Sequence, residues 1–438
     1  MKYTPVIGLE VHVELKTKSK MFCGCSTEYF GKEPNTHTCP VCLGLPGALP
    51  VPNKRAIEWC LMIGMALNCK IPLVSKFDRK NYFYPDLAKG YQISQYDQPF
   101  AENGYIVLAN KKRIGITRAH MEEDTAKLSH QNEGVKGVSL IDFNRSGVPL
   151  VEIVTEPDFE SAIEVKEYLQ KLQQIIRYLG VSDADMEKGE MRLEPNISLR
   201  EITKTELPKY KVEVKNINSF KFVEKAINYE LKRQEQILEE GKVPVQETRG
   251  WDEKRQKTFS QRVKEEAQDY RYFPEPDIPP IRWTKEQIGK LKELLPELPV
   301  RKIERFTAEF GLPYYDAEIL TRERPTADYF EKALVLAVKE KVNAKDVANW
   351  MINKSINIKE TTIEDLIKQI ISSKKIAVVD EDELGIIIKQ VLLENVKAVE
   401  DYKNGKKASI MFLLGQTMRK IGKKVDAAMV KEKIEKEL

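Results

Sequence analysis

The sequence predicts an α+β protein, with a mixed or antiparallel sheet in an N-terminal body and an all-α region after it. Two observations support this fold class. Residues 1–155 contain many short segments of alternating apolar and polar residues, separated by glycine and proline, as is typical of strands and tight turns. From residue 285 onward nearly every segment has the period of an α-helix and is punctuated by proline.

Two long helices are predicted inside the body. In residues 158–180 the apolar side chains recur at three- and four-residue spacing, with Asp158 near the start and Gly180 just past the end. A second helix is predicted from Ser219 to Leu238, closed by Gly241.

Length and composition indicate a soluble protein of several domains. The 438 residues are too many for one core, and we expect a body at 1–290, a helical domain at 291–400 and a tail at 401–438. The net charge is only +4, so any binding of nucleic acid must come from local basic patches. The sequence has neither a long apolar run nor the apolar core of a signal peptide, which favours the cytoplasm.

The first predicted strand carries an unusual polar face. Residues 6–15 alternate strictly, which places the apolar residues on one side and Glu10, His12 and Glu14 on the other. Carboxylates and an imidazole at this spacing are candidate ligands for a metal or for protons. The alternative is that this face is simply solvated.

Four of the six cysteines are clustered, as Cys23, Cys25, Cys39 and Cys42. In a cytosolic chain, two close pairs on a short loop favour zinc over disulfides. His37 is a possible substitute ligand. Four protein ligands would leave no open coordination position, so such a zinc ion would be structural.

A basic and aromatic segment follows between residues 76 and 95. It includes Arg79, Lys80, Tyr82 and Tyr84, interleaved with amide side chains. This mixture suits a nucleotide or the end of a single-stranded nucleic acid, because rings stack on bases and cations bind phosphates. The alternative is an exposed surface ribbon.

A run of acids in residues 120–124 is the second candidate constellation. Three consecutive carboxylates after a histidine are costly to pack without a cation, unless they are solvated. Glu152 lies in a strand of buried composition, so its charge needs a partner. Together with Glu10 and His12, these groups could form an oxygen-rich Mg²⁺ site. Strand parity does not decide which of the first two acids in the run faces inward.

Polar side chains alternate in two further segments, at Arg192, Glu194 and Asn196 and at Lys215, Asn216, Asn218 and Ser219. Asn218 and Ser219 could merely cap the following helix. Lys215 and Asn216 are harder to explain in that way.

These motifs together resemble the GatB subunit of the tRNA-dependent amidotransferases that act on aspartyl-tRNA(Asn) and glutamyl-tRNA(Gln). The resemblance runs from residue 3 to the C-terminus. The segments that carry it are Ile7 to Val13, Lys76 to Asp86, His120 to Asp124, Lys215 to Phe220 and Asp269 to Asp277.

The resemblance implies a cradle-like catalytic body with the cysteine knuckle inserted at 23–42, followed by a helical domain and a tail. It implies use of ATP and Mg²⁺ to phosphorylate the side-chain carboxylate of a misacylated tRNA. Ammonia from the amidase subunit then displaces the phosphate, in a heterotrimer that also contains a small third subunit. Carried over by position, the catalytic residues and Mg²⁺ ligands are Glu10, His12, Glu123 and Glu152. Those implied for ATP and substrate are Arg79, Lys80, Tyr82, Tyr84, Asp124, Arg192, Glu194, Asn196, Lys215, Asn216, Asn218 and Ser219.

The basic segment from Lys403 to Lys424 has seven lysines or arginines and no acid. Its apolar stripe is predicted to pack inward while the cations face outward and hold the tRNA backbone. The alternative is a solvated terminus.

The sequence departs from the family pattern in two places. Two residues after Arg192, where the family commonly has aspartate, this chain has Glu194 followed by Pro195, and the chain is shorter than usual between Lys375 and Asp380. An amidase signature is absent, so this chain alone should not hydrolyse glutamine. The competing hypothesis is a tRNA-binding scaffold whose metal site is purely structural. A catalytic Mg²⁺ would instead face an open pocket and keep water ligands.

Overall fold

The computed structural model describes residues 2–130, 138–263, 269–354, 356–374, 381–422 and 425–438. The chain divides into two compact units, Met1–Arg301 and Lys302–Leu438. The short segment near 375–380, where the sequence departs from the family pattern, lies outside the described residues, as do Lys423 and Lys424 of the basic segment.

The first unit contains strands and helices in the order that the sequence predicts. Its strands are β1 (Tyr3–Glu14), β2 (Val74–Ser75), β3 (Asp78–Asn81), β4 (Tyr91–Ser94), β5 (Ala101–Val107), β6 (Arg113–Glu123), β7 (Lys127–His130), β8 (Ser139–Asp142), β9 (Pro149–Thr155), β10 (Met191–Glu201), β11 (Val212–Lys215), β12 (Glu247–Asp252), β13 (Lys257–Val263), β14 (Phe273–Pro274) and β15 (Ile281–Arg282). Its helices are α1 (Lys54–Ala66), α2 (Ala162–Leu179), α3 (Phe220–Glu239) and α4 (Lys285–Glu293).

A mixed eight-stranded sheet is the centre of this unit. Its order is β13-β12-β11-β10-β1-β9-β6-β5, and only the β11–β12 pair is parallel. Small sheets of β14-β3-β4, β15-β2 and β7-β8 flank it. The predicted α+β class is therefore confirmed, with a mainly antiparallel sheet.

The alternation of β1 separates the core from a polar face. Ile7, Leu9 and Val11 are almost wholly buried in an apolar cluster to which α1, α2 and α3 contribute. Because side chains alternate along a strand, the polar residues of β1 face away from that core. One face of the sheet is thus covered by helices, and the other is available for a site.

The two predicted body helices are present, with corrected ends. Helix α2 begins after Ser161, whose side chain accepts a hydrogen bond from the N–H of Glu164, and it ends at Gly180 in the left-handed conformation. Asp158 lies before this cap and accepts instead from the N–H of Gly115, at 2.8 Å.

The second unit is helical throughout its described part. Its helices are α5 (Pro299–Phe310, which begins at the unit boundary), α6 (Tyr314–Leu320), α7 (Arg324–Lys339), α8 (Ala344–Asn353), α9 (Ile363–Lys374), α10 (Glu381–Glu394), α11 (Val396–Lys403), α12 (Ser409–Ile421) and α13 (Ala427–Glu437). One apolar cluster runs from Phe306 to Ile370 and another from Leu384 to Ile434. The segment 401–438, predicted as a tail domain, therefore shares its core with α10. Among the described residues, no helix is long and apolar enough to cross a membrane.

Substitution of Gly64 tests how closely α1 packs against the sheet. A Cβ added there would collide with Cβ of Ala101 and lie 3.1 Å from Cδ1 of Ile71. We expect Gly64→Ala to destabilise the protein by about 1–3 kcal/mol, because overpacking outweighs the gain in helix propensity. Urea unfolding followed by circular dichroism measures the effect.

Gly289→Ala is the matched control, since an added Cβ in α4 would meet nothing within 4 Å. It should stabilise the protein by about 0.5–1 kcal/mol. Equal effects of the two substitutions would show that the close contact between α1 and β5 is absent in solution.

Candidate active site

A polar cavity of about 920 Å³ opens on the helix-free face of the sheet. Side chains from β1, β3, β6, β9, β10, β11 and β12 line it, together with Tyr270 and Tyr272. A side cavity of about 320 Å³ shares Glu10, Val154 and Lys211 with it. Gln92 of β4 and Gln261 of β13 line the polar cavity as well, so this cavity gathers residues from nine strands that are distant in sequence.

Strand register brings the predicted ligands together. His12 lies opposite Glu152 of β9 on one side and opposite Arg192 of β10 on the other. Glu152 in turn lies opposite His120 of β6. Directly opposed residues share a face of the sheet, so these four side chains form a row across it.

The centre of this row is a cluster of carboxylates and imidazoles. Ligand atoms of His12, Glu122 and Glu152 all lie within 4.8 Å of one another. Nε2 of His120 lies 3.1 Å from Oε2 of Glu152, and Nζ of Lys80 lies 3.7 Å from Oε1 of Glu122. The donor set is suited to a hard divalent cation.

Glu123 does not join this cluster, and Glu122 takes the place predicted for it. Glu123 is the next residue of β6, so its side chain turns to the other face. There its carboxylate accepts hydrogen bonds from Nζ of Lys89, at 2.7 Å, and from the N–H of Ile93, at 2.9 Å. Glu10, His12 and Glu152 all line the cavity, but Glu10 groups with Glu194 and Glu213 rather than with His12 and Glu152.

A second acidic group adjoins the first. Ligand atoms of Glu10, Glu194 and Glu213 lie within 4.8 Å of one another, and Nζ of Lys215 lies 2.9 Å from Glu194 and 3.1 Å from Glu213. Burial and the charge of Glu152 raise the pKa of Glu10 above its usual value. Burial is the larger cause, and a cation bound at this group would favour the ionised form of Glu10.

Arg192 is held by a buried carboxylate at the cavity wall. Its two terminal nitrogens lie 3.2 and 2.5 Å from the two oxygens of Asp124. Burial alone would raise the pKa of Asp124, but the guanidinium groups of Arg192 and Arg145 outweigh it and hold that pKa below its usual value. Nε of Arg192 and Oδ1 of Asn196 are buried without a hydrogen-bond partner among the described residues, so a ligand could satisfy them.

An aromatic wall faces the acidic clusters. The ring of Tyr272 stacks on Tyr96 at a centroid distance of 4.5 Å, and Tyr82 meets Tyr270 edge to face at 5.9 Å. Nζ of Lys80 lies 5.2 Å from the centre of the Tyr270 ring. Tyr84 lines the same cavity.

Arg79 does not face the cavity as a free cation. Its guanidinium makes a two-point contact with Glu275, which is buried, and also reaches Asp277. The pairing of β3 with β14 brings these residues together and positions the segment that carries Tyr270 and Tyr272. The predicted nucleotide contact of Arg79 is therefore replaced by a structural ion pair.

The residues before α3 are divided between site and helix cap. Lys215 lines the cavity, whereas Asn216 and Asn218 are exposed and lie outside its wall. The side chain of Ser219 accepts a hydrogen bond from the N–H of Phe222, at 3.2 Å, as an N-cap does. Asn216 adopts a left-handed backbone with φ of 63°, which asparagine tolerates.

Sequence reasoning missed several residues of the cavity. Glu213, Thr248 and Gln261 line it, but β11–β13 offered no motif that pointed to them. Tyr270 and Tyr272 lie in a segment that carried the family resemblance, which was the available signal.

The four clustered cysteines converge as predicted. Their sulfurs all lie within 4.8 Å of one another, and those of Cys39 and Cys42 are 3.9 Å apart. Tetrahedral zinc with Zn–S bonds of about 2.3 Å requires sulfurs about 3.8 Å apart, so the residues fit this metal. The N–H of Cys39 donates to Sγ of Cys42 at 3.1 Å. The His37 ring instead pairs with Thr36.

The fold and the site define a two-part protein, with a sheet-based body of catalytic type and a separate helical region. Residues 5–289 match the family model for the GatB/GatE catalytic domain, and residues 356–438 match that for the GatB domain. The chain belongs to the GatB/GatE family, as the sequence motifs predict.

Curated relatives of full length support this membership. A protein of Thermoanaerobacter sp. is 47% identical over 482 aligned positions, which cover all of both chains. One of Carboxydothermus hydrogenoformans is 48% identical over 95% of each chain, and one of Thermosipho melanesiensis is 46% identical over 99% of this chain and 98% of its own. All three are named as the B subunit of aspartyl/glutamyl-tRNA(Asn/Gln) amidotransferase.

Glu14 provides a test of the buried charges beside the cavity. Burial and the neighbouring Asp124 raise its pKa to about 9. The unfolded chain releases this proton near the usual value of 4.5, so between these pH values the folded state binds more protons and loses stability as pH rises. Glutamine does not ionise. We therefore expect Glu14→Gln to gain stability relative to the wild type with rising pH, by at most about 1.4 kcal/mol per pH unit.

Urea midpoints measured across this pH range check the prediction. Glu201→Gln serves as the control, since Glu201 is exposed and pairs with Lys204 at the surface. Parallel pH profiles for the Glu14 variant and the wild type would contradict it.

Proposed function

We propose that this protein is the subunit of a tRNA-dependent amidotransferase that activates and amidates the amino acid of a misacylated tRNA. The substrates are Glu-tRNA(Gln), Asp-tRNA(Asn) or both, and the products are Gln-tRNA(Gln) and Asn-tRNA(Asn). ATP phosphorylates the side-chain carboxylate, and ammonia from the partner amidase displaces the phosphate. The observation that carries the proposal is the pair of acidic clusters in one open cavity, in a chain of this family.

His12, Glu122 and Glu152 would hold Mg²⁺, and Glu10 with Glu194 and Glu213 offers a neighbouring acidic group. A divalent cation neutralises charge on a transferring phosphoryl group and aligns its oxygens. Both the γ-phosphate of ATP and the substrate carboxylate are anions, so the reaction needs this neutralisation.

Cationic side chains supply the rest of the neutralisation. Lys80, Arg192 and Lys215 lie around the acidic clusters and line the cavity. Asp124 holds two nitrogens of Arg192, which leaves its buried Nε to meet a phosphate oxygen. Asp124 therefore acts as a positioning residue for this cation.

The two cavities suit chemically different parts of the substrates. The side cavity has apolar walls from Val6, Leu9 and Tyr210, and it suits the adenine base of ATP beside its phosphates. The rings of Tyr82, Tyr270 and Tyr272 suit the terminal adenosine of the tRNA, since bases stack on aromatic side chains. An acyl phosphate hydrolyses in water, so the same rings also shelter it.

The scaffold hypothesis fits these observations less well. A structural metal is enclosed by its protein ligands, whereas both acidic clusters border a cavity of about 920 Å³. Such an arrangement leaves room for water and substrate at a cation.

Substitution of the cluster separates the two hypotheses. We expect Glu122→Gln and Glu152→Gln each to lower the rate of ATP-dependent amidation at least about 100-fold, as loss of one electrostatic group at a transition state does. The assay uses the assembled amidotransferase with charged tRNA and ammonium chloride as the nitrogen donor, so it does not depend on the amidase. Thermal melting checks that the variants fold.

Glu201→Gln, at the exposed end of β10, is the matched control and should keep full activity. Full amidation by the Glu122 and Glu152 variants would refute a catalytic role for the cluster. Loss of ATP turnover in both, with charged tRNA still bound, would support it over the scaffold hypothesis.

The basic segment is proposed to bind the tRNA backbone. Its apolar residues Ile410, Leu413 and Leu414 are buried in the core shared with α10, while Lys403, Lys407 and Arg419 are exposed. Truncation near residue 400 would remove α12 and α13 from that core. Charge substitution is therefore the sharper test.

We expect the triple variant Lys403→Gln, Lys407→Gln and Arg419→Gln to weaken tRNA binding and to flatten its salt dependence, by up to about 0.9 in the log–log slope for each lost phosphate contact. Filter binding across salt concentrations measures both. The control replaces Lys339, Lys341 and Lys345, which are exposed in and after α7. Equal slopes for the two triple variants would refute a specific role for the segment.

A further inference from the structure

Lys20 is wholly buried and lies just before the cysteine loop. Its ammonium donates to the backbone carbonyl oxygen of His37 at 2.8 Å and to that of Phe143 at 3.4 Å. Within the described ranges, no carboxylate lies within 4.0 Å of this nitrogen. The positive charge of the Lys20 ammonium is therefore contacted only by neutral carbonyl groups.

A buried ammonium is costly unless an opposite charge faces it, since two carbonyl dipoles do not cancel a whole charge. Neither cavity that we assign to the reaction includes Lys20. The anionic groups that could face it must therefore be sought in the cysteine loop.

The side chains of Lys20 and Cys42 lie on the same side of Gly147. A Cβ built on this glycine would be 3.6 Å from Cδ of Lys20 and 3.6 Å from Cβ of Cys42. The N–H of Lys20 also donates to the carbonyl of Cys25, at 2.9 Å.

We propose that Lys20 is the buried counter-charge of the four-cysteine metal centre. Four thiolates around a divalent ion carry a net charge of about −2, which a partly buried site cannot leave to solvent. The ammonium offsets part of that charge and so increases the retention of the ion. This inference rests on the cysteine cluster and is independent of the reaction assigned to the acidic cavity.

The alternative is that Lys20 is only a tether between two backbone carbonyls. The two roles differ in the metal-free protein. A tether stabilises the protein equally with and without metal. A counter-charge acts on the metal-bound form, so its removal lowers the zinc affinity and, by linkage, destabilises the zinc-bound protein more than the metal-free protein.

The test uses the full chain and compares Lys20→Met, which keeps the length and removes the charge, with the wild type. Zinc is the probe, and competition with a chromophoric chelator measures its affinity. We expect Lys20→Met to bind zinc about 10–100-fold more weakly, the range seen when groups that support metal ligands are replaced. The loss of melting temperature should be larger in the presence of zinc than in the metal-free protein.

Lys18→Met is the matched control, because Lys18 is exposed two residues away, and it should bind zinc as the wild type does. Lys20→Arg, which keeps the charge, should restore most of the affinity. Unchanged zinc affinity in Lys20→Met, or an equal loss of melting temperature with and without zinc, would overturn the proposal. A wild-type chain that binds no zinc would also overturn it, and would leave the proposed amidation untouched.

Discussion

The strict alternation of β1 is the constraint on which both the core and the site depend. Its apolar residues, such as Leu9 and Val11, are buried under the helices, while Glu10 and His12 face the cavity. Strands β9 and β10 pair antiparallel with β1 on its two sides, so each polar residue of β1 has directly opposed residues on both neighbours, and together they form a row across the sheet. A slip of one residue would bury the charges and expose the core, so burial of one face determines the register of the other.

The acidic face is stable only because cations accompany it. Lys80 lies against Glu122, and Lys215 lies against Glu194 and Glu213. Burial alone would raise the pKa of Glu122 and of Glu152, but Lys80 and His120 outweigh it for Glu122 and His120 does so for Glu152. At Glu10, burial and neighbouring carboxylates raise the pKa. The cations therefore favour the ionised form of Glu122 and Glu152, which is the form in which a carboxylate binds a divalent cation.

The cysteine loop is built into the wall of the same unit. Side-chain hydrogen bonds from Asn144 and Ser146 reach Glu33 and Cys42, and the segment that contains them leads directly into β9. The N–H of Gly147 donates to the carbonyl of Asp124. A metal ion bound by this loop would therefore also support the backbone next to Arg192 and its carboxylate partner.

The sequence by itself determined the α+β class, the two faces of β1 and the cysteine cluster, because each depends on local periodicity or spacing. It left Ser219 open between the site and a helix cap. Only the tertiary structure decided that Glu122 rather than Glu123 faces the cluster. Alternation along β6 puts the two side chains on opposite faces, but the pairing of β6 with β9 decides which face each one takes. It also decided that Arg79 binds a carboxylate almost two hundred residues away. Contacts between distant segments depend on how strands are ordered in the sheet, and no local pattern encodes that order.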